Sequence, residues 1–472
     1  MFTSPVFKIR TSPTVRSACD VRRWRKALTE KREEILAALR KDTGKHESEG
    51  YWMEWVPIEG TLSFLEQNID EMFRPSTLES SMGLMLGRRY LVQRRIPLGH
   101  VLIVGTWNFP LSLHLTQILF AAAAGNKVTF KASNFSPELG RTLGRILPDI
   151  LGKELFQEWV PDSDAQVIER IRKGDFNLVI FTGGTTVAKI YAHACADAMI
   201  PLIAEASGSE SVVVLDTALG SSSCLTRAVD HLVWATFHHT GQTCVTPRYW
   251  FVPRSHLESV YESATKVLDS EPDAVASRSP LQHERIVSEH QGWEKWALGL
   301  NGVQQFRSKL RPEFSIVKLP EVKHLPTDNP GTFGPAAMIV GYDKLEDVVT
   351  WICKSPWSLL TTVMGHPGSR EMDLLSDIDT TIVSLNEAVT AAGDAAIAFG
   401  GRGASGYGVC HGLDGLRAMS RVQTWQEVRA WPGAGLLKAT PSWSSMARLK
   451  KFGLSMRELN KSPLKAIKNI FS

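Results

Sequence analysis

The sequence lacks several things, and each absence narrows what the chain can do. None of its six cysteines, Cys19, Cys195, Cys224, Cys244, Cys353 and Cys410, forms a CxxC pair. That removes the usual zinc and thioredoxin-like signatures, so no metal site is expected. Six unpaired thiols read as reduced, mostly small buried hydrophobes of a reducing compartment. No run approaches the ~18 apolar residues of a membrane-spanning helix. The longest candidate, Ile118 to Ala124, reads as the end of a packed helix. The N-terminal segment has no apolar stretch behind a basic start, so no secretory signal is expected. Low-complexity tracts and internal repeats are missing. Excess charge is missing too: the net charge is +4, too weak to indicate a nucleic-acid partner.

What is present is a chain of 472 residues, 43% apolar and 22% charged, enough for two or three packed units. Val21, Trp24, Leu28, Ile35, Leu36 and Leu39 predict one amphipathic helix closed at Thr43-Gly44. Residues 76–96 read as extended, with a turn at Gly83 or Gly87. From Pro97 onward, apolar strands (100–105, 127–131, 178–181, 202–205) alternate with helical stretches (111–124, 137–147, 165–173, 187–196). That alternation predicts an α/β fold with a parallel sheet covered on both faces. Such sheets bind ligands beyond the carboxyl ends of their strands. A second α/β unit starts near Glu205, followed by the glycine-dense stretch 399–412.

Four patches carry candidate chemistry. Asn108, in Gly105-Thr-Trp-Asn-Phe-Pro110, can aim an amide donor at a developing oxyanion, although a turn Asn often only caps. Gly183 and Gly184, between a strand and a helix, open that helix N-terminus to a phosphate, although any such turn may carry glycines. Glu205 ends a strand and can serve as a general base; more often such a residue is a solvated charge. Cys244, in Thr240-Gly-Gln-Thr-Cys-Val-Thr-Pro247, can be an exposed, reactive thiol; a lone Cys is more often inert packing. The preceding His238 and His239 suggest a Cys–His hydrolase, but catalytic dyads are set by spatial neighbours.

Together the patches resemble the aldehyde dehydrogenase superfamily. The matching segments are Gly105–Pro110, Ala124–Lys131, Phe181-Thr-Gly, Glu205, Gly241-Gln-Thr-Cys244, Phe333-Gly-Pro335 and Phe399-Gly-Gly401, over residues 20 to 425. The wording of Gly241–Pro247 is similar to the class 3, fatty-aldehyde-type branch.

The resemblance implies a Rossmann-type cofactor domain over residues 1–75 and 97–204 and a catalytic domain over 205–412. Bridging segments of a homodimer would be 76–96 and 413–430. It implies oxidation of an aldehyde to an acid with NAD or NADP. Cys244 would be the nucleophile, Asn108 with the Cys244 backbone N–H the oxyanion hole, and Glu205 the base for water. Trp107, Lys131, Ser133, Asn134, Gly183, Gly184 and Phe333 would line the cofactor channel.

Several positions depart from the family pattern. Gly331 stands where an acid for the nicotinamide ribose is usual, which predicts tenfold to hundredfold weaker cofactor binding, from roughly 1.5–3 kcal/mol of lost hydrogen bonding. Asn134 replaces an acid three residues after Lys131, so NADP is expected to be tolerated or preferred. Ala188 replaces a glycine of the phosphate helix, and Glu-Leu-Gly-Gly-Lys has become Glu205-Ala-Ser-Gly-Ser209. These leave open a thiol enzyme with non-redox covalent chemistry, or a non-catalytic scaffold, although retention of Asn108, Glu205 and Cys244 argues against the latter. Residues 431–472 form a basic tail. From Lys438 on, eight Lys or Arg face one acid, Glu458, with apolar residues at roughly helical spacing. A cytoplasmic protein is expected. The tail reads equally as a peripheral contact with an anionic membrane or as a helix packed on protein.

Overall fold

Runs such as LVIF and HVLIV are too short and too β-rich for helices, and they form central strands. The computed structural model describes residues 9–80, 88–160, 163–270, 279–281, 283–329 and 331–429. The basic tail lies outside them. The chain divides into two compact units.

The smaller unit comprises residues 1–10, 75–94 and 423–472. Ser76–Leu78 pairs antiparallel with residues 91–93, and Ser420–Arg429 completes this three-stranded sheet. The extended reading of 76–96 thus holds for its described part; both candidate turn glycines lie outside it.

The larger unit, residues 11–74 and 95–422, holds two large open sheets and a two-stranded one, Trp357–Ser358 with Arg402–Gly403. The first orders six strands as Gly406–Tyr407, Leu202–Glu205, Leu178–Thr182, His100–Val104, Lys127–Lys131 and Phe156–Trp159. All pairs are parallel except that of the short strand at 406. The central strands are buried on both faces, as parallel strands under helices must be. The second sheet orders Gln304–Arg307, Ser315–Leu319, Ala336–Tyr342, Pro247–Pro253, Glu210–Val214, Leu360–Met364 and Ile382–Leu385, with only the first pair antiparallel.

The predicted N-terminal helix is two helices, Ala18–Glu30 and Arg32–Thr43. Lys31, at φ −100° and ψ 1°, breaks the axis, and both halves still bury the apolar stripe. Gly44, at φ +64°, ends the second as expected. Helix Ser112–Ala123 is apolar nearly all round because it is buried nearly all round.

Candidate functional site

Strand His100–Val104 runs into the turn that carries Asn108. A β-carbon at Gly105 would lie 2.3 Å from the His114 ring, so only glycine lets the chain pass. The His114 Nε2 accepts the Thr106 N–H at 2.6 Å, and the Thr106 hydroxyl donates to Asn108 Oδ1 at 3.0 Å. Asn108 Nδ2 donates to the Gln242 carbonyl at 3.1 Å. An amide has two N–H groups, so a second donor remains.

Beneath this turn lies a buried ion pair, Lys45 with Glu54. Lys45 Nζ donates to the Asn108 carbonyl at 2.7 Å, and Glu54 accepts the N–H groups of Leu111 and Ser112 at 3.1 and 2.8 Å. One pair therefore holds both ends of the Asn108–Ser112 segment. Sequence reasoning missed it, because an isolated Lys and an isolated Glu read as solvated charges.

The cysteine loop follows helix Ser222–Phe237. His239, Thr240 and Gly241 have φ of 49°, 54° and 68°, three successive left-handed residues. A β-carbon on Gly241 would come within 2.3 Å of the Gly334 carbonyl. The buried Arg248 guanidinium donates to that carbonyl at 2.7 Å and also to the Gly241 carbonyl. It thus staples the cysteine loop to the 331–335 loop. No local motif marks Arg248 for this role either.

The Cys244 thiol and the Glu205 carboxyl are near enough to shift each other's titration. Burial pushes the Glu205 carboxyl up to about 7, and the neighbouring Cys244 thiol offsets that only in part. Burial, and then the charge of Glu205, hold the thiol well above its ordinary value. The expectation of an exposed thiol is therefore corrected: Cys244 is partly buried and protonated at rest, with its base beside it. Glu205 is likewise no solvated charge. Behind it Glu210, also pushed up by burial to about 8, accepts the N–H groups of Leu359 and Leu360.

The Cys–His reading gains no support from the hydrogen bonds, although His238 lines the same cavity as Cys244. His238 bonds to the Ala235 carbonyl and to the Thr243 hydroxyl and stacks on Trp234. Burial pushes it down to about 4, so it is neutral and engaged elsewhere. Cys244 instead opens on a cavity of about 440 Å³, lined mainly by apolar side chains including Trp52, Phe109, Leu113, Val389 and Phe399.

The other candidates line the carboxyl edge of the first sheet. Lys131 ends its strand with Nζ 3.5 Å from Asn134 Oδ1 and 3.2 Å from Asp164 Oδ1. The Ser133 hydroxyl accepts the N–H of Phe135. Gly184 caps helix Thr185–Asp197 and has open space where a side chain would go. That helix has no acid in its first turn, which suits an anion at its N-terminus. At Gly183 a β-carbon would lie 2.7 Å from the Phe181 ring. Trp107 and Phe333 meet edge to face, with centroids 5.6 Å apart. These residues fit a nicotinamide dinucleotide: a charged pair for ribose hydroxyls, a free helix N-terminus for diphosphate, and an aromatic pair for the ring. The missing contact is the acid at position 331.

The sequence profile of the aldehyde dehydrogenase family matches residues 8–283 and 324–425. The chain belongs to the aldehyde dehydrogenase family. It is thus an oxidoreductase of the class acting on aldehydes. Among curated aldehyde dehydrogenases it is similar to family 3 member A2 of Macaca fascicularis, 26% identical over 93% of this chain and 90% of that one. The 4,4'-diapolycopene-4,4'-dial dehydrogenase of Cytobacillus firmus is 28% identical over 84% and 86%. Among solved structures, Staphylococcus aureus AldH in a substrate-bound state superposes with TM-score 0.79 at 20% identity, covering 93% of this chain and 96% of that one. An aldehyde dehydrogenase of Mycobacterium tuberculosis complexed with NAD+ gives 0.77 at 20% identity, covering 89% and 86%. The last two establish the aldehyde dehydrogenase fold.

Proposed function

We propose that this chain oxidises an apolar-bodied aldehyde to its carboxylic acid with NAD or NADP, through covalent attachment to Cys244. The observation that carries the proposal is that Cys244 opens on the apolar cavity, with the buried Glu205 carboxyl as its electrostatic neighbour and with Asn108 tied to the Gln242 carbonyl of the same loop. As the Cys244 sulfur attacks the carbonyl carbon, its proton passes to Glu205. A carboxyl near 7 suits that task, because a general base works best near the ambient pH. The second N–H of Asn108 and the backbone N–H of Cys244 stabilise the resulting alkoxide, by about 3–4 kcal/mol per well-placed donor. The bound nicotinamide supplies a two-electron acceptor for hydride. Glu205 then releases that first proton to solvent, takes a second from the water that hydrolyses the thioester left on Cys244, and passes it to the departing Cys244 thiolate, so that the acid is released and the thiol restored.

The test is incubation of the purified protein with an aldehyde panel and either dinucleotide, following reduced nicotinamide and acid together. Acid formed in step with reduced cofactor supports the proposal. Hydrolysis of thioesters with no cofactor reduction would favour the non-redox thiol enzyme, which the missing acid at 331 keeps in contention.

The domain limits (1–75 with 97–204, and 205–412) and dimer contacts through 76–96 and 413–430 belong to the same reading. For the tail we propose peripheral contact with an anionic membrane, on charge alone. No helix among the described residues is long and apolar enough to cross one. Vesicle sedimentation with and without residues 440–472 tests this; equal binding by both forms excludes the tail as an anchor.

A further inference from the structure

We infer that Asp164, not the residue three positions after Lys131, reads the adenosine ribose, and that it makes this chain select NAD over NADP. The inference rests on the proposed use of a nicotinamide dinucleotide. Lys131 ends the strand next to Phe156–Trp159, and Asp164 opens the helix that follows that neighbouring strand. Both therefore stand at the carboxyl edge of the first sheet, where α/β sheets bind nucleotides.

The pair is built rather than incidental. Lys131 is nearly buried, with 4% of its side chain exposed, so its ammonium has little freedom to turn elsewhere. Asp164 is 49% exposed, so part of its carboxylate is open to solvent. One of its oxygens, Oδ1, takes both the Lys131 ammonium at 3.2 Å and the Tyr191 hydroxyl at 2.8 Å. Tyr191 is fully buried and packs on Phe181, so the contact ties Asp164 to helix Thr185–Asp197, whose N-terminus is the proposed diphosphate site. The other oxygen, Oδ2, remains to accept ribose hydroxyls.

A 2′-hydroxyl donates to such a carboxylate. A 2′-phosphate carries only acceptors there and adds negative charge beside Asp164, while the charge of Lys131 is already balanced. The neutral Asn134, read alone, implied tolerance of the phosphate; the ion pair reverses that expectation.

The experiment is direct binding without aldehyde, by calorimetry and by quenching of tryptophan fluorescence, so no turnover enters the readout. NAD is expected to bind at least tenfold more tightly than NADP. Asp164→Asn should narrow that ratio at least fivefold, chiefly by tightening NADP. Equal or tighter NADP binding by the wild-type protein overturns the inference and leaves the proposed function standing. So does an unchanged ratio in folded Asp164→Asn. Binding of neither dinucleotide at millimolar concentration overturns both. Should Asp164→Asn fail to fold, the wild-type ratio and Asp164→Ser decide.

Discussion

The thiol site and the Lys131–Asp164 pair, where we place the adenosine ribose, are built on opposite principles. At the thiol, polar groups are dry: Asn108 is 3% exposed, Glu205 2% and Lys45 1%. Burial there raises the Glu205 carboxyl and makes each unpaired group expensive. At the adenosine end, Asp164 is half exposed, and its ion pair with Lys131 meets water. Charges in that setting act through a few kilocalories of screened attraction at most. On this reading, mutation at the thiol should cost orders of magnitude, and mutation at the proposed cofactor-selecting pair factors of ten.

The sharpest way to break that contrast is at the nucleophile. Cys244→Ala should lower turnover by at least about 10⁴-fold, the scale of losing a nucleophile, without unfolding the chain. Cys19→Ala and Cys224→Ala should change it little. Full activity without Cys244 would end the covalent mechanism. Labelling of the free enzyme is a poor substitute, since Cys19 is exposed and the Cys244 thiol is held high by burial.

Glu205→Gln comes next, with an expected loss of about 10²–10⁴-fold. It also has a signature in stability. The Glu205 carboxyl rises from an ordinary 4.5 to about 7 on folding. Between those values the native state keeps a proton that the unfolded chain has released. Stability from this group is therefore highest below about 4.5 and falls as pH rises to about 7, by about 3 kcal/mol. Glu205→Gln should remove that slope and leave the variant more stable than wild type at pH 8. Urea unfolding across pH measures it; a variant less stable at pH 8 would mean that the carboxylate is not held at this cost.

The buried brace sits between the two extremes. Asn108→Ala should cost about 10²–10³-fold in turnover. Lys45→Met leaves Glu54 buried and unpaired, an expected destabilisation of about 3–5 kcal/mol. If the pair positions Asn108, the loss in Lys45→Met should appear in kcat more than in KM. A change in KM alone would make the pair a support of the cavity wall and nothing more.

How much of this was legible beforehand follows the same division. Most strands of the parallel sheets were readable because burial on both faces writes them as apolar runs, and Lys127–Lys131 matches its expected limits residue for residue, although the buried strands Ser315–Leu319 and Leu360–Met364 were passed over. Strands Gln304–Arg307 and Phe156–Trp159 were missed because their mixed composition, QQFR and FQEW, carries no such run. Cys244, Glu205 and Asn108 were legible through the spacing of their motifs. Lys45, Glu54, Arg248 and Asp164 were not. Each does its work by pairing across 9 to 86 residues of chain, and pairing at that range leaves no local pattern.

The smallest expected effect tests whether the cofactor end is stripped or rebuilt. An acid restored at position 331 should tighten cofactor binding if the loop merely lost it. The backbone argues otherwise. Gly331 has φ +76°, where a side chain costs about 1–2 kcal/mol. A β-carbon there would meet Arg248 Cγ and Ser209 Oγ at 3.1 Å. Arg248 cannot easily give way, because its guanidinium is committed to the Gly334 and Gly241 carbonyls. Strain at 331 would pass into the loop that carries Phe333 and braces the cysteine turn. Gly331→Ala should therefore lose about 1–2 kcal/mol of stability with turnover nearly unchanged. Gly331→Glu should lose at least as much, and should not gain cofactor affinity. The measurement is urea unfolding beside NAD titration for both variants. A Gly331→Glu protein of wild-type stability that binds NAD tenfold more tightly would show that the loop still accepts the acid. The left-handed glycine would then record a loss, and the adenosine end alone would be rebuilt.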